Sequence, residues 1–247
     1  MNVRKPGNHH VTCYPANLQK PKALEICRAF AQGVIACGGT AKVCDTIPER
    51  LEAGAAMFYG VRPQVAHLWE QAKRENRDYY YADNSYFDSC RERYFRISRN
   101  CIQHAGMQRF SDGARMSALG IVIKPWRSGG EYALVCAQSS EFMDVVAQDH
   151  LWLDRTLEKL RRSGEPYVLR TKGLNRPFSF DLENASRVIT WSSAAAVMAL
   201  LNGVPVECSP QCAAYGVTDR QKWAECLADA QWTLAEIERG DAWRALA

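Results

Sequence analysis

The stretch Arg187-Val-Ile-Thr-Trp-Ser-Ser-Ala-Ala-Ala-Val-Met-Ala-Leu-Leu-Asn-Gly-Val-Pro-Val-Glu207 has the pattern of a strand, a tight turn, a helix and a second strand. Its β-branched run, Val188 to Thr190, is typical of a buried strand. Ser192 or Ser193 stands at the N-cap position before an alanine-rich run, and Asn202-Gly203 stands where that helix should end. The stretch therefore predicts a strand–helix–strand unit.

The predicted turn before this helix offers a binding site for a phosphate. The first N–H groups of a helix have no partner within the helix and carry a partial positive charge. The hydroxyls of Ser192 and Ser193 lie beside them in the sequence. The alternative is an ordinary unit with an N-capped helix and no ligand, and this stretch alone leaves both interpretations open.

Length and composition allow one large domain or two small ones. The chain has 247 residues, of which 47% are apolar, and its net charge of +4 says little about partners. No apolar run reaches the length of a membrane span, and residues 1–7 are polar with no apolar signal segment after them. We therefore expect a cytoplasmic protein that does not insert into a membrane.

The ten cysteines predict reduced thiols and not disulfides or a zinc site. Cys27, Cys37, Cys136 and Cys226 stand inside apolar helix or strand patterns, and no Cys-x-x-Cys pair occurs. Cys208 and Cys212 have no matching pair of cysteine or histidine ligands. No metal site is expected.

Strands alternate with helices in both halves of the chain, which predicts parallel sheets with helices on their faces. We expect short helices near 48–53 and 181–184, and single longer helices at 145–162 and 219–238. The glycine-rich segment 126–130 has the composition of a hinge. The predicted fold is α/β, with two small Rossmann-like domains, residues 1–127 and 128–247, facing a cleft.

The second domain lacks the glycine-rich motifs of dinucleotide-binding proteins, P-loop NTPases and α/β-hydrolases. Its predicted strands end instead in polar and cationic residues, and ligands of such sheets bind at the carboxyl ends of the strands. Cations, hydroxyls and a helix N-terminus suit a diphosphate, and a carboxylate suits a sugar hydroxyl. The candidates are Ser139, Arg170, Lys172, Ser192, Ser193 and Glu207.

The segment from Cys90 to Arg127 contains eight basic and two acidic residues with aromatic residues between them. This composition suits a polyanion such as nucleic acid, although a solvated basic face with a few ion pairs is an equal alternative. Arg62, which follows an earlier predicted strand, is added to the arginines of this segment. The candidate contacts are Arg62, Arg93, Arg96, Arg99, Arg109 and Arg127.

The residues Thr190 to Val206 resemble the donor-binding unit of GT-B glycosyltransferases, and most closely those of capsular polysaccharide synthesis. In these, a Ser-Ser turn opens a helix that ends Ala-Leu-x-x-Gly-x-Pro-Val, as residues 199–206 do here. The resemblance extends over Tyr132 to Tyr215. It implies that the carboxyl-terminal domain binds a nucleotide-sugar donor and the amino-terminal domain binds the acceptor. It also implies that a final helix packs back on the first domain and that the reaction needs no cofactor and no metal.

Compact GT-B enzymes of this kind are encoded by bacteriophages, and some glycosylate hydroxymethylated bases in DNA. By this analogy our best hypothesis for the acceptor is a hydroxymethylated pyrimidine in DNA, in the cytoplasm of the phage host. The alternatives are a polysaccharide or other small acceptor, a non-catalytic module that binds sugar nucleotides or nucleic acid, and another enzyme of this architecture such as a sugar-nucleotide epimerase.

Such a transfer needs two kinds of groups. Arg170, Lys172 and the Ser192-Ser193 turn would stabilise the leaving diphosphate. If the reaction inverts the anomeric centre, a general base would deprotonate the acceptor hydroxyl. We assign that role first to Asp83, which ends a predicted strand, and second to His104. Asp83 as a turn-capping residue is an equal alternative.

Overall fold

The computed structural model describes residues 10–19, 21–60, 62–87, 93–104 and 111–246. Its strands are β1 (His10–Pro15), β2 (Thr40–Val43), β3 (Ala55–Tyr59), β4 (Tyr79–Asn84), β5 (Phe95–Arg99), β6 (Tyr132–Cys136), β7 (Tyr167–Arg170), β8 (Ala185–Thr190), β9 (Val206–Cys208) and β10 (Gln231–Trp232). Its α-helices are α1 (Pro21–Ala36), α2 (Pro63–Arg74), α3 (Ala114–Ala118), α4 (Ser140–Phe142), α5 (Trp152–Ser163), α6 (Phe178–Leu182), α7 (Ala194–Leu201), α8 (Arg220–Asp229), α9 (Leu234–Glu238) and α10 (Asp241–Leu246). A π-helical segment, Met143–Ala147, follows α4.

The chain divides into two compact units. Of the described residues, unit 1 comprises those within 10–85, 93–102 and 230–246, and unit 2 comprises those within 86–87, 103–104 and 111–229. The predicted boundary at 127/128 therefore falls inside unit 2. The reason is that the segment near Arg127 is fastened within that unit: Arg127 N donates to Gly203 O over 2.9 Å, and Glu131 N donates to Asn184 O over 2.7 Å. A Cβ on Gly130 would come within 2.3 Å of Ser186 N, so this glycine serves close packing.

Unit 1 is built on a six-stranded sheet of the described residues, in the order β10-β5-β4-β3-β1-β2. The four strands β2, β1, β3 and β4 are parallel. At one edge β5 pairs antiparallel with β4, and β10 pairs antiparallel with β5. The central strands are apolar on both faces, as strands covered by helices must be. In β1, for example, Val11, Cys13 and Tyr14 have no exposed surface.

The carboxyl-terminal segment returns to unit 1, as predicted, but not as one helix. The expected helix over 219–238 ends at Asp229, and Gln231 and Trp232 then pair with β5. Thr233 starts α9 with a complete capping box to Glu236, which explains the new helix start. Helix α9 lies against α1 so closely that a Cβ on Gly33 would be 2.1 Å from Ile237 O.

Unit 2 is built on a four-stranded parallel sheet of the described residues, in the order β7-β6-β8-β9. Its strand β6 alternates between two apolar clusters, as the period of a strand requires. Leu134 and Cys136 belong to a cluster that includes Ala199 of α7, whereas Ala133 and Val135 belong to a cluster that includes Leu160 of α5. Helices therefore cover both faces of this sheet, which confirms the predicted Rossmann-like architecture.

Two other predicted helices differ from the structure. The residues near 48–53 form no helix, because side chains take their backbone N–H groups: Gln71 accepts from Leu51 N and Tyr14 accepts from Glu52 N. The expected helix over 145–162 is replaced by α4, the π-helical segment and α5. The break lies at Gln148, whose φ of 52° is left-handed.

Candidate functional site

The last paired residues of the unit 2 strands form one row across the sheet. Cys136 of β6 is opposite both Arg170 of β7 and Thr190 of β8, and Thr190 is opposite Cys208 of β9. The segments that follow this row all leave the sheet at its carboxyl edge, where parallel α/β sheets bind ligands. We call this edge, with the residues that follow the row, the donor edge.

The turn between β8 and α7 lies at the centre of the donor edge. Ser193 is the N-cap of α7, and its Oγ accepts a hydrogen bond from Ala195 N over 3.2 Å. Helix α7 has eight residues, and its first N–H groups point toward the donor edge because the helix begins there. The predicted serine cap is confirmed, and Ser193 is the residue that forms it.

Ser192 differs from Ser193 in that its hydroxyl is buried without a partner. Ser192 is 3% exposed, and among the described residues no group forms a hydrogen bond with the Ser192 Oγ. Buried polar atoms are nearly always hydrogen-bonded in folded proteins, so an exception calls for a physical explanation. A ligand oxygen at this position would supply the missing partner.

Gln103 holds the Ser192 turn, a role that no local sequence pattern predicts. Its Nε2 donates to Ser192 O over 2.6 Å, and its Oε1 accepts from Ala213 N over 2.8 Å. Gln103 is 3% exposed, so both hydrogen bonds are shielded from water. The partners are 89 and 110 residues away in the chain, and such contacts cannot be read from local patterns.

Arg170 is fixed by a buried carboxylate. It forms an ion pair with Asp181, which also pairs with Arg176, and Arg170 Nη2 donates to Arg176 O over 2.9 Å. Asp181 is 2% exposed, whereas the side chains of Arg170 and Arg176 are 18% and 43% exposed. Two arginines share one carboxylate, so this end of β7 keeps a net positive charge. The contribution of Arg170 to donor binding stays a prediction, and Arg176 joins it as a residue that the sequence analysis missed.

Of the other three residues predicted to contact the donor, two lie on the donor edge and one does not. Ser139, after β6, caps α4 by accepting from Phe142 N over 3.4 Å. Lys172, after β7, is exposed. Glu207 lies within β9, opposite Ile189, and its carboxylate is 3.0 Å from Lys159 Nζ. Ser139 and Lys172 thus lie on the donor edge. Glu207 lies one residue before the row, and its carboxylate already pairs with Lys159.

Asp83, the predicted general base, belongs to unit 1 and is directly opposite Arg96 in the β4–β5 pair. Its Oδ2 is 2.6 Å from Arg96 Nη2 and accepts from the Tyr81 hydroxyl over 3.3 Å. The side chain is still 33% exposed. His104, the second candidate, is 5% exposed, and its Nδ1 is 3.0 Å from the Tyr86 hydroxyl.

Three of the six arginines predicted to contact nucleic acid direct their charge into the protein. Arg96 pairs with Asp83, and Arg99 pairs with Asp78 over 2.8 Å and also donates to Leu246 O over 3.0 Å. Arg127 donates to Leu182 O over 2.9 Å. Arg62 and Arg93 are exposed, and Arg109 lies outside the described residues. Part of the basic composition of 90–127 therefore serves internal ion pairs and hydrogen bonds.

Cys136, one of the two cysteines in the row, is not a nucleophile at neutral pH. Burial raises the pKa of the Cys136 thiol to about 12, so the thiol stays protonated. No disulfide joins the cysteines of the described residues. Within the described ranges no three His, Cys, Asp or Glu side chains are grouped to hold a metal ion, and no helix there has the length and apolarity of a membrane span.

Comparison with solved structures agrees with this architecture. The fold is that of a two-domain GT-B glycosyltransferase, with a Rossmann-like sheet in each unit. The chain is similar to the β-Kdo 2,7-transferase of KpsC from Thermosulfurimonas dismutans, with a TM-score of 0.54 and 10% identity over 95% of this chain and 99% of that one. The β-Kdo 2,4-transferase of the same KpsC matches with a TM-score of 0.49 and 11% identity over 90% and 91% of the two chains. No protein-family model and no curated protein sequence matches the chain.

The buried Asp181 supports the first testable prediction. Asp181→Asn removes the charge that two arginines share, and breaking a buried pair costs about 3–5 kcal/mol. We expect the thermal midpoint of unfolding, followed by circular dichroism, to fall by about 6 °C or more. The matched control is Asp149→Asn, which breaks the exposed pair with Arg155 in the same unit and should cost less than about 1 kcal/mol. Equal midpoints for the two variants would contradict a structural role for the Arg170–Asp181 pair.

Proposed function

We propose that the protein is a glycosyltransferase that moves a sugar from a nucleotide-sugar donor to an acceptor hydroxyl, with the donor bound at the donor edge of unit 2. The observation that carries the proposal is the turn before α7. There a helix N-terminus, the Ser193 cap and the buried unpartnered hydroxyl of Ser192 meet in a unit with a Rossmann-like sheet. This combination suits the phosphates of a nucleotide.

The charges around the donor edge support the same assignment. When the bond between sugar and phosphate breaks, negative charge grows on the leaving phosphate, and fixed dipoles and cations that face it lower the barrier. The N-terminus of α7 supplies a dipole, and the pair of arginines on Asp181 leaves one net positive charge at the end of β7. Lys172 adds a second, exposed cation beside them.

The sugar of the donor is identified by a screen. The KpsC structure that matches with a TM-score of 0.54 is named as a Kdo transferase, so activated Kdo belongs in any donor screen. An identity of 10% does not carry a sugar specificity from one chain to the other. We therefore define the donor by its phosphate chemistry.

For the acceptor, the sequence-based hypothesis was a hydroxymethylated pyrimidine in DNA. The inward ion pairs of Arg96 and Arg99 and the carbonyl contacts of Arg127 remove part of its support, because these side chains do not present free charge to a phosphate backbone. We propose an acceptor hydroxyl on unit 1, and the screen includes hydroxymethylated DNA and saccharides as separate arms.

Asp83 remains our proposed general base. Its carboxylate is one-third exposed and so can reach an acceptor hydroxyl, whereas His104 is almost fully buried against Tyr86. Arg96 holds the carboxylate in one orientation through a cross-strand contact. The role fits an exposed carboxylate on the unit that we assign to the acceptor.

The test of the function is a turnover screen with the full chain. Nucleotide sugars, including activated Kdo, are incubated with hydroxymethylated DNA, unmodified DNA and oligosaccharides, and products are detected by mass spectrometry. We expect sugar transfer, or slow donor hydrolysis without acceptor. Binding of nucleotide without either reaction would support the non-catalytic module, and an altered sugar on the intact nucleotide would support an epimerase.

Ser193→Ala should raise the donor KM at least about 10-fold, as expected for the loss of a hydrogen bond to a charged group, worth about 1.5–3 kcal/mol. The matched control is Ser111→Ala, which removes another serine hydroxyl that accepts from a backbone N–H, that of Gly113, in a segment of the same unit that does not follow the row. Unchanged donor KM in Ser193→Ala, or an equal change in both variants, would contradict the phosphate assignment.

Asp83→Asn should lower the transfer rate by about 100-fold or more while donor hydrolysis and binding persist, because a general base contributes about 10²–10⁴-fold. Asp78→Asn is the matched control, since it also breaks a carboxylate–arginine pair, between Asp78, directly before β4, and Arg99 of β5. Melting curves should show similar losses of stability in both. Full transfer by Asp83→Asn would exclude Asp83 as the base.

A further inference from the structure

A second buried polar atom without a partner lies at the donor edge. Gln138 follows β6, and among the described residues no group forms a hydrogen bond with its buried Nε2. Ser192 follows β8 and carries the unpartnered Oγ described above. Both atoms can donate a hydrogen bond, one from an amide and one from a hydroxyl.

The register of the sheet places these two residues at equivalent positions. Cys136 and Thr190 are paired, and Gln138 and Ser192 each come two residues later on neighbouring strands. Thr190 Oγ1 donates to Cys136 O over 2.8 Å, which joins the two strand ends directly. Beyond them, the rings of Phe142 and Trp191 meet edge to face with centroids 5.6 Å apart. The segments that carry Gln138 and Ser192 are therefore packed against each other.

Two unpartnered donors at one site have a common explanation. A buried donor without an acceptor is costly, and native proteins contain few of them. An oxyanion accepts several hydrogen bonds, so one ligand group can satisfy both atoms. The neighbouring N-terminus of α7 favours negative charge at this place.

The chain after Gln138 has the irregular backbone that is common at functional sites. Helix α4 passes into the π-helical segment Met143–Ala147, and Gln148 closes that segment in a left-handed conformation with φ of 52°. π-helical turns are rare and frequently occur at functional sites. The segment that carries Gln138 is thus built differently from the regular helices α5 and α7.

We propose that Gln138 Nε2 and Ser192 Oγ together bind one phosphate oxygen of the nucleotide-sugar, a contact that rests on the proposed function and adds Gln138 to it. Ser193 and the first N–H groups of α7 bind the same phosphoryl region from the helix side. As the sugar leaves, the charge on the phosphate grows and both hydrogen bonds strengthen. Gln138 is therefore a substrate-contacting residue, with an effect on the rate as well as on binding.

The test uses Gln138→Met and Gln138→Glu in the full chain. Met keeps the length of the side chain but cannot donate, and Glu replaces the donor with a negative oxygen. Binding of inorganic pyrophosphate and of a panel of nucleoside mono- and diphosphates is measured by isothermal titration calorimetry. We expect the Kd to rise at least about 10-fold in Gln138→Met and further in Gln138→Glu, because an oxyanion repels a carboxylate. Gln221→Glu, an exposed site on α8 in the same unit, adds the same charge and should leave the Kd unchanged.

Melting curves without ligand separate a ligand contact from a structural amide. Replacing an unpartnered buried polar group with an apolar one of similar size removes a cost, so Gln138→Met should melt at the same temperature as the native chain or higher. Lower affinity together with undiminished stability supports the proposal. Lower stability with unchanged affinity would overturn it.

The measurements distinguish a failure of the Gln138 contact from a failure of the proposed function. If the native chain binds a nucleotide and Ser193→Ala weakens that binding, while both Gln138 variants bind as the native chain does, the Gln138 contact is wrong and the donor site stands. If the native chain binds no member of the panel and shows no transfer, the proposed function and the Gln138 contact are both overturned.

Discussion

The parallel pairing of β6 with β8 is the constraint on which the candidate site depends. It brings Cys136 and Thr190 to the same row, and the hydrogen bond from Thr190 Oγ1 to Cys136 O joins the two ends. Parallel strands aligned in this way deliver every following segment to one edge. A shift of one residue in this register would turn the side chains of a strand to the opposite face and would dismantle both apolar clusters of unit 2.

Longer-range contacts then fix what the register has brought together. Gln103 ties the Ser192 turn to Ala213 through two buried hydrogen bonds. Asp181 fixes Arg170 and Arg176 at the end of the neighbouring strand. Such preorganised groups need little rearrangement when charge develops on a leaving group, and this is the physical basis of electrostatic catalysis. The donors at this edge that remain without partners are those that a phosphate would satisfy.

The sequence predicted what local patterns determine. The β-branched run, the serine cap and the Asn-Gly end identified the unit from β8 to β9 with its helix, and strand–helix alternation gave the class of fold. Contacts between residues that are far apart in the chain could not be predicted from the sequence. Arg96 and Arg99 were counted as free charge because Asp83 and Asp78, 13 and 21 residues earlier, give no local sign of pairing. For the same reason Gln103 was missed, and the hinge expected at 126–130 is a packed segment because Gly130 meets Ser186.

Hydrogen–deuterium exchange of the full chain tests the central claim most directly, namely that the donor edge of unit 2 binds a nucleotide phosphate. The exchange is compared without ligand and with a saturating nucleoside mono- or diphosphate. The account predicts slower exchange in peptides that cover residues 137–142 and 191–196, where ligand oxygens would meet N–H groups and exclude water. Unchanged exchange in both segments, with protection confined to the strand ends of unit 1, would contradict it.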